Sequence, residues 1–209
     1  MKPLILLFKA YKAIHLHLAT GYWTMYTRIL FLLNGVSCGK LKALGRARVN
    51  VSLGGKATFG NHFYIRTGLF YTEVGNIGSR ILVGPQGVLK IGNNVGMSNA
   101  TIVADCSVSI GDNVMIGGGV QIFDTNFHSI DTKTRTSGHE TRDEVKKAPV
   151  AIGNNVFLGT NSIICKGVTI SDNAIIAAGS VVVKSVPTGE VWGGNPAKKI
   201  TNRAICITS

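Results

Sequence analysis

Carboxylates are scarce in this chain, and none occurs before Glu73. The first 72 residues carry ten lysines and arginines against no Asp or Glu, within 209 residues of net charge +12. Such a surplus excludes an acid-rich, self-neutralising N-terminal region and points to an anionic partner. The basic residues are not interleaved with aromatics in any nucleic-acid-reading motif, so no nucleic acid is expected. Phosphorylated small molecules or anionic lipid headgroups fit better. Charged residues in total are also few, at 15%, whereas glycine is plentiful at 26, a balance that favours many tight turns over a helical bundle.

Other absences narrow the reading further. The four cysteines (Cys38, Cys106, Cys165, Cys206) show no C-x-x-C spacing and stand far apart, as reduced thiols do. The run "PLILLF" after Lys2 is cut by Lys9 and Lys12, and no A-x-A site follows, so no signal peptide is expected from it. The longest uncharged stretch there, residues 13 to 27, falls short of the roughly 17 to 25 residues of a spanning helix. The five histidines (15, 17, 62, 128 and 139) show none of the close pairing expected of a three-histidine zinc site, so no metal is expected.

What is present is periodicity of two kinds. In residues 3 to 33, Leu4, Phe8, Tyr11, Ile14, Leu18, Tyr22, Met25, Ile29 and Leu32 recur at steps of three or four, one stripe of a long amphipathic helix. The stripe has two readings: docked on its own domain or a neighbouring subunit, or, through residues 1–34, adsorbed peripherally to an anionic membrane. From about residue 49 the period becomes six. In "VAIGNNVFLGTNSIICKGVTISDNAIIAAGSVVV", Ile152, Leu158, Ile164, Ile170, Ile176 and Val182 are consecutive apolar positions six apart. Small or β-branched residues follow four later at Val156, Ser162, Val168, Ala174, Ser180 and Val186. The step is kept at Ile110, Ile116 and Ile122, at Ile91 and Met97, and at Leu53, Phe59 and Ile65. Neither an α-helix nor a hairpin sheet has a period of six; a coil with repeated corners does. Residues 66 to 82 depart from the pattern and read as an excursion.

Counting on from Ile122 places His128 where an aliphatic residue belongs, with Asn126 polar in the same rung and a polar run, "SIDTKTRTSGHETRDEVKKA", directly after. An unpaired inward imidazole would cost a few kcal/mol, so the coil opens there, and residues 129–149 leave it as a loop. Exceptions that cluster in this way mark functional sites.

The hexads resemble the left-handed parallel β-helix of the hexapeptide-repeat acyltransferases over roughly residues 49 to 200. "DTNFHSID" and "AAGSVVVKSVPTGEVWGGNPAKKI" are similar to the branch holding galactoside, maltose, Nod-factor and xenobiotic acetyltransferases, nearest to the O-acetyltransferases of bacterial surface polysaccharide. The implied division is an N-terminal amphipathic α-helix and linker (1–48), an all-β left-handed parallel β-helix (49–200) and a tail (201–209). The resemblance implies a cytoplasmic homotrimer, peripheral at the membrane's inner face in the lipid-adsorbed reading, using acetyl-CoA as acyl donor and a carbohydrate acceptor.

It further implies that His128 is the general base, with Asp124 or a backbone carbonyl accepting the other imidazole N–H; Asp124 also reads as an ordinary corner residue. Asn99 and Asp105 match acceptor-contacting positions or, alternatively, turn-stabilising side chains. Asn126 joins them as a polar exception beside His128, and Phe157 stands where the family often has a Trp walling the pocket. Thr160 and Ala178 match the pantetheine channel, Lys184 and Lys198 the phosphate region, and Gly194, Asn195 and Pro196 the turn beside the adenine; Lys199 is a further phosphate cation or a solvated tail. O-acetylation of a sugar in surface polysaccharide synthesis is the expected reaction. N-acetylation of a nucleotide-linked amino sugar, a zinc carbonic anhydrase and a non-catalytic β-helix scaffold are its rivals.

Overall fold

A computed structural model of the protein describes residues 2–68 and 78–202. A 32-residue helix, Lys2–Leu33, leads into a left-handed parallel β-helix whose short strands fall in turn on three faces. Among the described residues, two of the faces are six-stranded sheets and one is eight-stranded. Each coil visits the first, second and third sheet in order, so the same side chain recurs at the same height one coil later. Ile110 stands over Ile152 and Ile170, Ile116 over Leu158 and Ile176, and Ile122 over Ile164 and Val182. Every one of these residues is buried, as are the small partners Val156, Ser162, Val168, Ala174, Ser180 and Val186. At about 1.5–3 kcal/mol per fully buried aliphatic side chain, this stack is the main stabilising term.

The corner between the first and second sheets explains the Gly-Asn/Asp-Asn signature. Asn94, Asn113, Asn155 and Asn173 all adopt positive φ, between 55° and 62°, a region that Asn tolerates better than other side chains. Their amides form a ladder, Asn94 donating to Asn113, Asn113 to Asn155 and Asn155 to Asn173 at 3.1–3.2 Å.

Two expectations about the inner face need correction. Leu53, counted as inward, is 99% exposed. It sits at the tip of a four-residue corner closed by Gly55 N–H donating to Ser52 O, and the inward positions on either side are taken by Val49 and Ala57. The coil also begins before residue 49: Ser37–Cys38 pairs with Thr58–Phe59, and Leu41–Leu44 with Phe63–Arg66. The excursion expected over 66–82 falls partly on residues outside the described set, and Arg80–Val83 is an ordinary strand of the third sheet. Most of the tail 201–209 is likewise outside it.

The helix docks by its C-terminal half only, and by the face opposite the counted stripe. Phe31 and Thr27 are buried, and Phe31 packs on the Phe59 and Phe63 rings at 5.0 and 6.4 Å. Thr24 Oγ1 accepts from Ala43 N–H at 2.9 Å, satisfying the strand at the open end of the solenoid. The helix ends at Gly35 (φ 65°), where Val36 N–H reaches Phe31 O and Gly35 N–H reaches Leu32 O, the paired bonds of a Schellman cap. All nine residues of the apolar stripe are exposed, so docking of the stripe on its own domain is overturned.

Candidate active site

The chain leaves the coil after Phe123, at the corner from the third to the first sheet, and returns at Val150. The loop's base is stitched: Thr125 bridges Lys147, Asn126 N–H donates to Lys146 O, and Ala148 N–H to Asp124 O. Its body holds a short helix, Thr132–Thr136, capped by Asp131, and a turn of 3-10 helix at Arg142–Glu144. His128 emerges from this base with its side chain 71% exposed. The imidazole that breaks the hexad pattern is therefore outside the coil, as the desolvation argument requires.

Its partner is Glu140, twelve residues on. Nδ1 lies 2.7 Å from Glu140 Oε2, while Oε1 accepts a short bond from Ser129 N–H. A carboxylate can only accept, so Nδ1 carries the proton and Nε2 presents its lone pair. The Ser129 amide and then the His128 ring hold the Glu140 carboxyl below the usual carboxylate range.

Asp124 does not orient the imidazole. It is fully buried, and its two oxygens accept from Asp105, Cys106 and Ser107 N–H at 2.6–2.8 Å, the corner-residue alternative of the sequence reading. Nothing local in the sequence marks Glu140, which lies inside the polar run that leaves the coil.

Asp105 stands at the same corner as His128, and its carboxylate pairs with Lys147 at 2.9 Å and Arg142 at 3.1 Å. It lines a cleft of about 330 Å³ with Asn50, Leu82, Val103, Phe127 and Arg142. Phe127, immediately before His128, has φ 64°, a strained conformation for a bulky residue. Its ring is 5.4 Å from that of Phe123 and forms one wall of the cleft. Neither Phe127 nor Arg142 was singled out from the sequence, and no pattern there would have shown them.

The remaining residues gather elsewhere. Asn99, Thr160 and Ala178 are stacked at the corner from the second to the third sheet. There Gly119 N–H donates to Asn99 O, Asn161 N–H to Gly118 O, and Gly179 N–H to Thr160 O. Asn99 is buried with φ 44° and accepts from Gly68 N–H at 3.0 Å, so it is built as a turn residue and shares no corner with Asp105. The terminal hairpin, Glu190–Gly194 with Ala197–Asn202, lies beside this column, tied by Gly194 N–H to Ser180 Oγ at 3.2 Å. It carries Pro196 and Lys198, both exposed; Lys184 is exposed just past the last strand of the third sheet. Lys199 is no free tail: its Nζ is 2.6 Å from Glu190 Oε1. Phe157 is on the outer face of the second sheet, in register with exposed Met115 and with Ile175. Among the described residues no three His, Cys, Asp or Glu side chains converge to hold a metal ion.

Comparison with known proteins agrees with this architecture. Residues 149–184 match the model of the hexapeptide repeat of succinyl-transferase. Galactoside O-acetyltransferase of Escherichia coli K12 is 35% identical over 142 residues, spanning 65% of this chain and 67% of that protein. A maltose O-acetyltransferase from Clostridium difficile 630 superposes with TM-score 0.55 at 28% identity, covering 84% of this chain and 73% of the other. A galactoside acetyltransferase in complex with coenzyme A gives TM-score 0.53 at 26% identity, over 86% of this chain and 71% of that one.

Proposed function

The chain belongs to the hexapeptide-repeat acetyltransferases, as an acetyl-CoA-dependent O-acetyltransferase of the galactoside and maltose type, and we propose that its acceptor is a sugar hydroxyl in bacterial surface polysaccharide synthesis at the cytoplasmic side of the membrane. His128 is the general base and Glu140 its positioning partner. The observation that carries this reading is the pair itself: an exposed imidazole whose Nδ1 is held by a carboxylate, directly after Phe127, which lines a cleft together with Asp105.

In the reaction, Nε2 takes the proton of the acceptor hydroxyl as its oxygen attacks the thioester carbonyl. Glu140 faces the imidazolium that forms, as an orienting acid does in other His-dependent sites. Collapse of the tetrahedral intermediate breaks the C–S bond, and the imidazolium proton goes to the leaving CoA sulfur. No covalent enzyme intermediate is needed. The donor fits the other corner: a pantetheine arm lies along small residues and backbone amides, which Thr160 and Ala178 supply, and Lys184 and Lys198 offer cations for phosphates.

His128 and the donor column occupy different corners of one coil. A homotrimer resolves the separation by setting the His128 corner of one subunit against the column of the next, and the exposed apolar pair Met115 and Phe157 supplies outer surface to bury. The test is transfer of labelled acetyl from acetyl-CoA to galactosides and to surface-polysaccharide precursors. His128→Ala should lose at least about a hundredfold in turnover while still binding CoA. Near-normal turnover would remove His128 from the mechanism. A product label resistant to alkaline hydroxylamine, which cleaves oxygen esters, would mean an amide, and would replace O-transfer by N-acetylation of an amino sugar.

A further inference from the structure

The N-terminal helix leaves its most apolar face without a partner. Leu4, Leu7, Tyr11, Ile14, Leu18, Tyr22, Met25, Ile29 and Leu32 recur at steps of three or four, and each is exposed, Leu18 and Met25 both at 67% and Leu32 at 78%. The opposite face, with Trp23, Thr27 and Phe31, is the one seated on the coil. Residues 3 to 15 are all exposed, so the first turns of the helix are not buried against the coil. Beside the stripe a groove of about 840 Å³ runs between helix and second sheet; Met25 belongs to both, and Arg28, Lys42 and Arg66 line it with no carboxylate among the lining residues. Tyr64 is the neutral partner of two of these cations: its hydroxyl accepts from Arg66 Nε at 2.8 Å, and its ring lies 4.8 Å from Arg66 and 5.7 Å from Lys42.

We propose that this face is a docking surface for an anionic lipid bilayer: the helix lies in the interface plane with its stripe among the acyl chains, and Arg28, Lys42 and Arg66 meet lipid phosphates. Charge selects this occupant. A second copy of the chain could cover the stripe, but it would bring cation against cation, because the first 72 residues of each copy hold ten Lys/Arg and no acid. Helix bundles ordinarily pair Glu with Lys at such flanks. An anionic membrane supplies the missing negative charge and the apolar phase together. No described helix is long and apolar enough to cross a membrane, so the contact is lateral. Oligomerisation of the enzyme multiplies it, each further helix binding at the raised local concentration set by the first.

Vesicle flotation of the full-length protein tests this independently of acetyl transfer. The protein should float with phosphatidylglycerol vesicles at low salt, stay down with phosphatidylcholine alone, and release progressively as salt rises. Leu18→Glu with Tyr22→Glu, both on the exposed face, should lower partitioning at least about tenfold. Lys42→Ala should lower it about fivefold. Melting temperature and acetyl-CoA turnover in free solution should be unchanged for both variants, which separates lost docking from lost folding. Absence of flotation, or flotation indifferent to Leu18→Glu with Tyr22→Glu, overturns the proposal. So does a higher oligomer in light scattering that the same double substitution reduces to a trimer, since that would make a second copy the occupant.

Discussion

Replacing Glu140 by Gln separates the positioning of His128 from the folding of its loop. The substitution keeps the shape of the side chain and an amide oxygen for Ser129 N–H, but it removes the negative charge 2.7 Å from His128 Nδ1. With that oxygen engaged, the amide turns its NH2 toward Nδ1, donor against donor unless the imidazole shifts to the tautomer protonated at Nε2, which cannot act as a base. In the transition state the ring becomes an imidazolium, and its charge-assisted hydrogen bond to the carboxylate is lost. Hydrogen bonds to charged groups contribute about 1.5–3 kcal/mol, so kcat should fall about ten- to 150-fold with little change in KM for either substrate. With the ring 71% exposed, little packing is available to hold it in place of the lost bond. Glu140→Ala, which also releases Ser129, should cost more and additionally loosen the loop. The assay is steady-state CoA release over both substrates, with melting temperature as the folding control. Full activity in Glu140→Gln beside a dead His128→Ala would refute the reasoning and reduce Glu140 to a loop stitch.

Asp124→Ala should destabilise the protein by about 3 kcal/mol or more in denaturant melts, since three backbone N–H groups lose a buried charged acceptor; a change under about 1 kcal/mol would contradict its structural role. Anchoring of the loop by Glu140 has a defined pH direction. Its pKa is lowered in the folded chain, so the anchor is fully present above the ordinary carboxylate range and is lost as pH falls through the lowered value. Limited proteolysis at Lys133 and Arg135 should therefore accelerate on acidification, and cleavage insensitive to pH would count against the anchor. Cys106, pushed up to about 11 by burial first and then by the neighbouring Asp124 carboxylate, should alkylate far more slowly at pH 8 than a free thiol, and rapid labelling would show that this corner is open.

The coil was legible in the sequence because its core obeys one rule: inward residues repeat every six, and Ile152 to Val182 never break it. The rule fails at Leu53, where a longer corner interrupts the count while leaving the composition unremarkable. The helix was legible as a helix, but not its docked face. Periodicity reports which residues share a side, and the seated side here is the less apolar one, built from Trp23, Thr27 and Phe31. His128 was found as an exception to the pattern. Glu140 was not, because its contact is made across a loop whose path no repeat dictates, and Asp124 was the more visible acid only because it lies nearer in sequence. The separation of Asn99 from Asp105 onto different corners was hidden for a related reason, since six residues carry the chain from one corner to the next.

The claim that the site is completed between subunits can be tested by complementation. His128→Ala and Ala178→Trp, each shown to be folded and inactive alone, are coexpressed with different tags and purified in tandem so that every trimer contains both. If the His128 corner of one subunit faces the donor column of its neighbour, one of the three sites in each mixed trimer is intact, and about a third of wild-type turnover returns. Mixed trimers with no activity above either parent would place both groups in the site of a single chain and contradict the account.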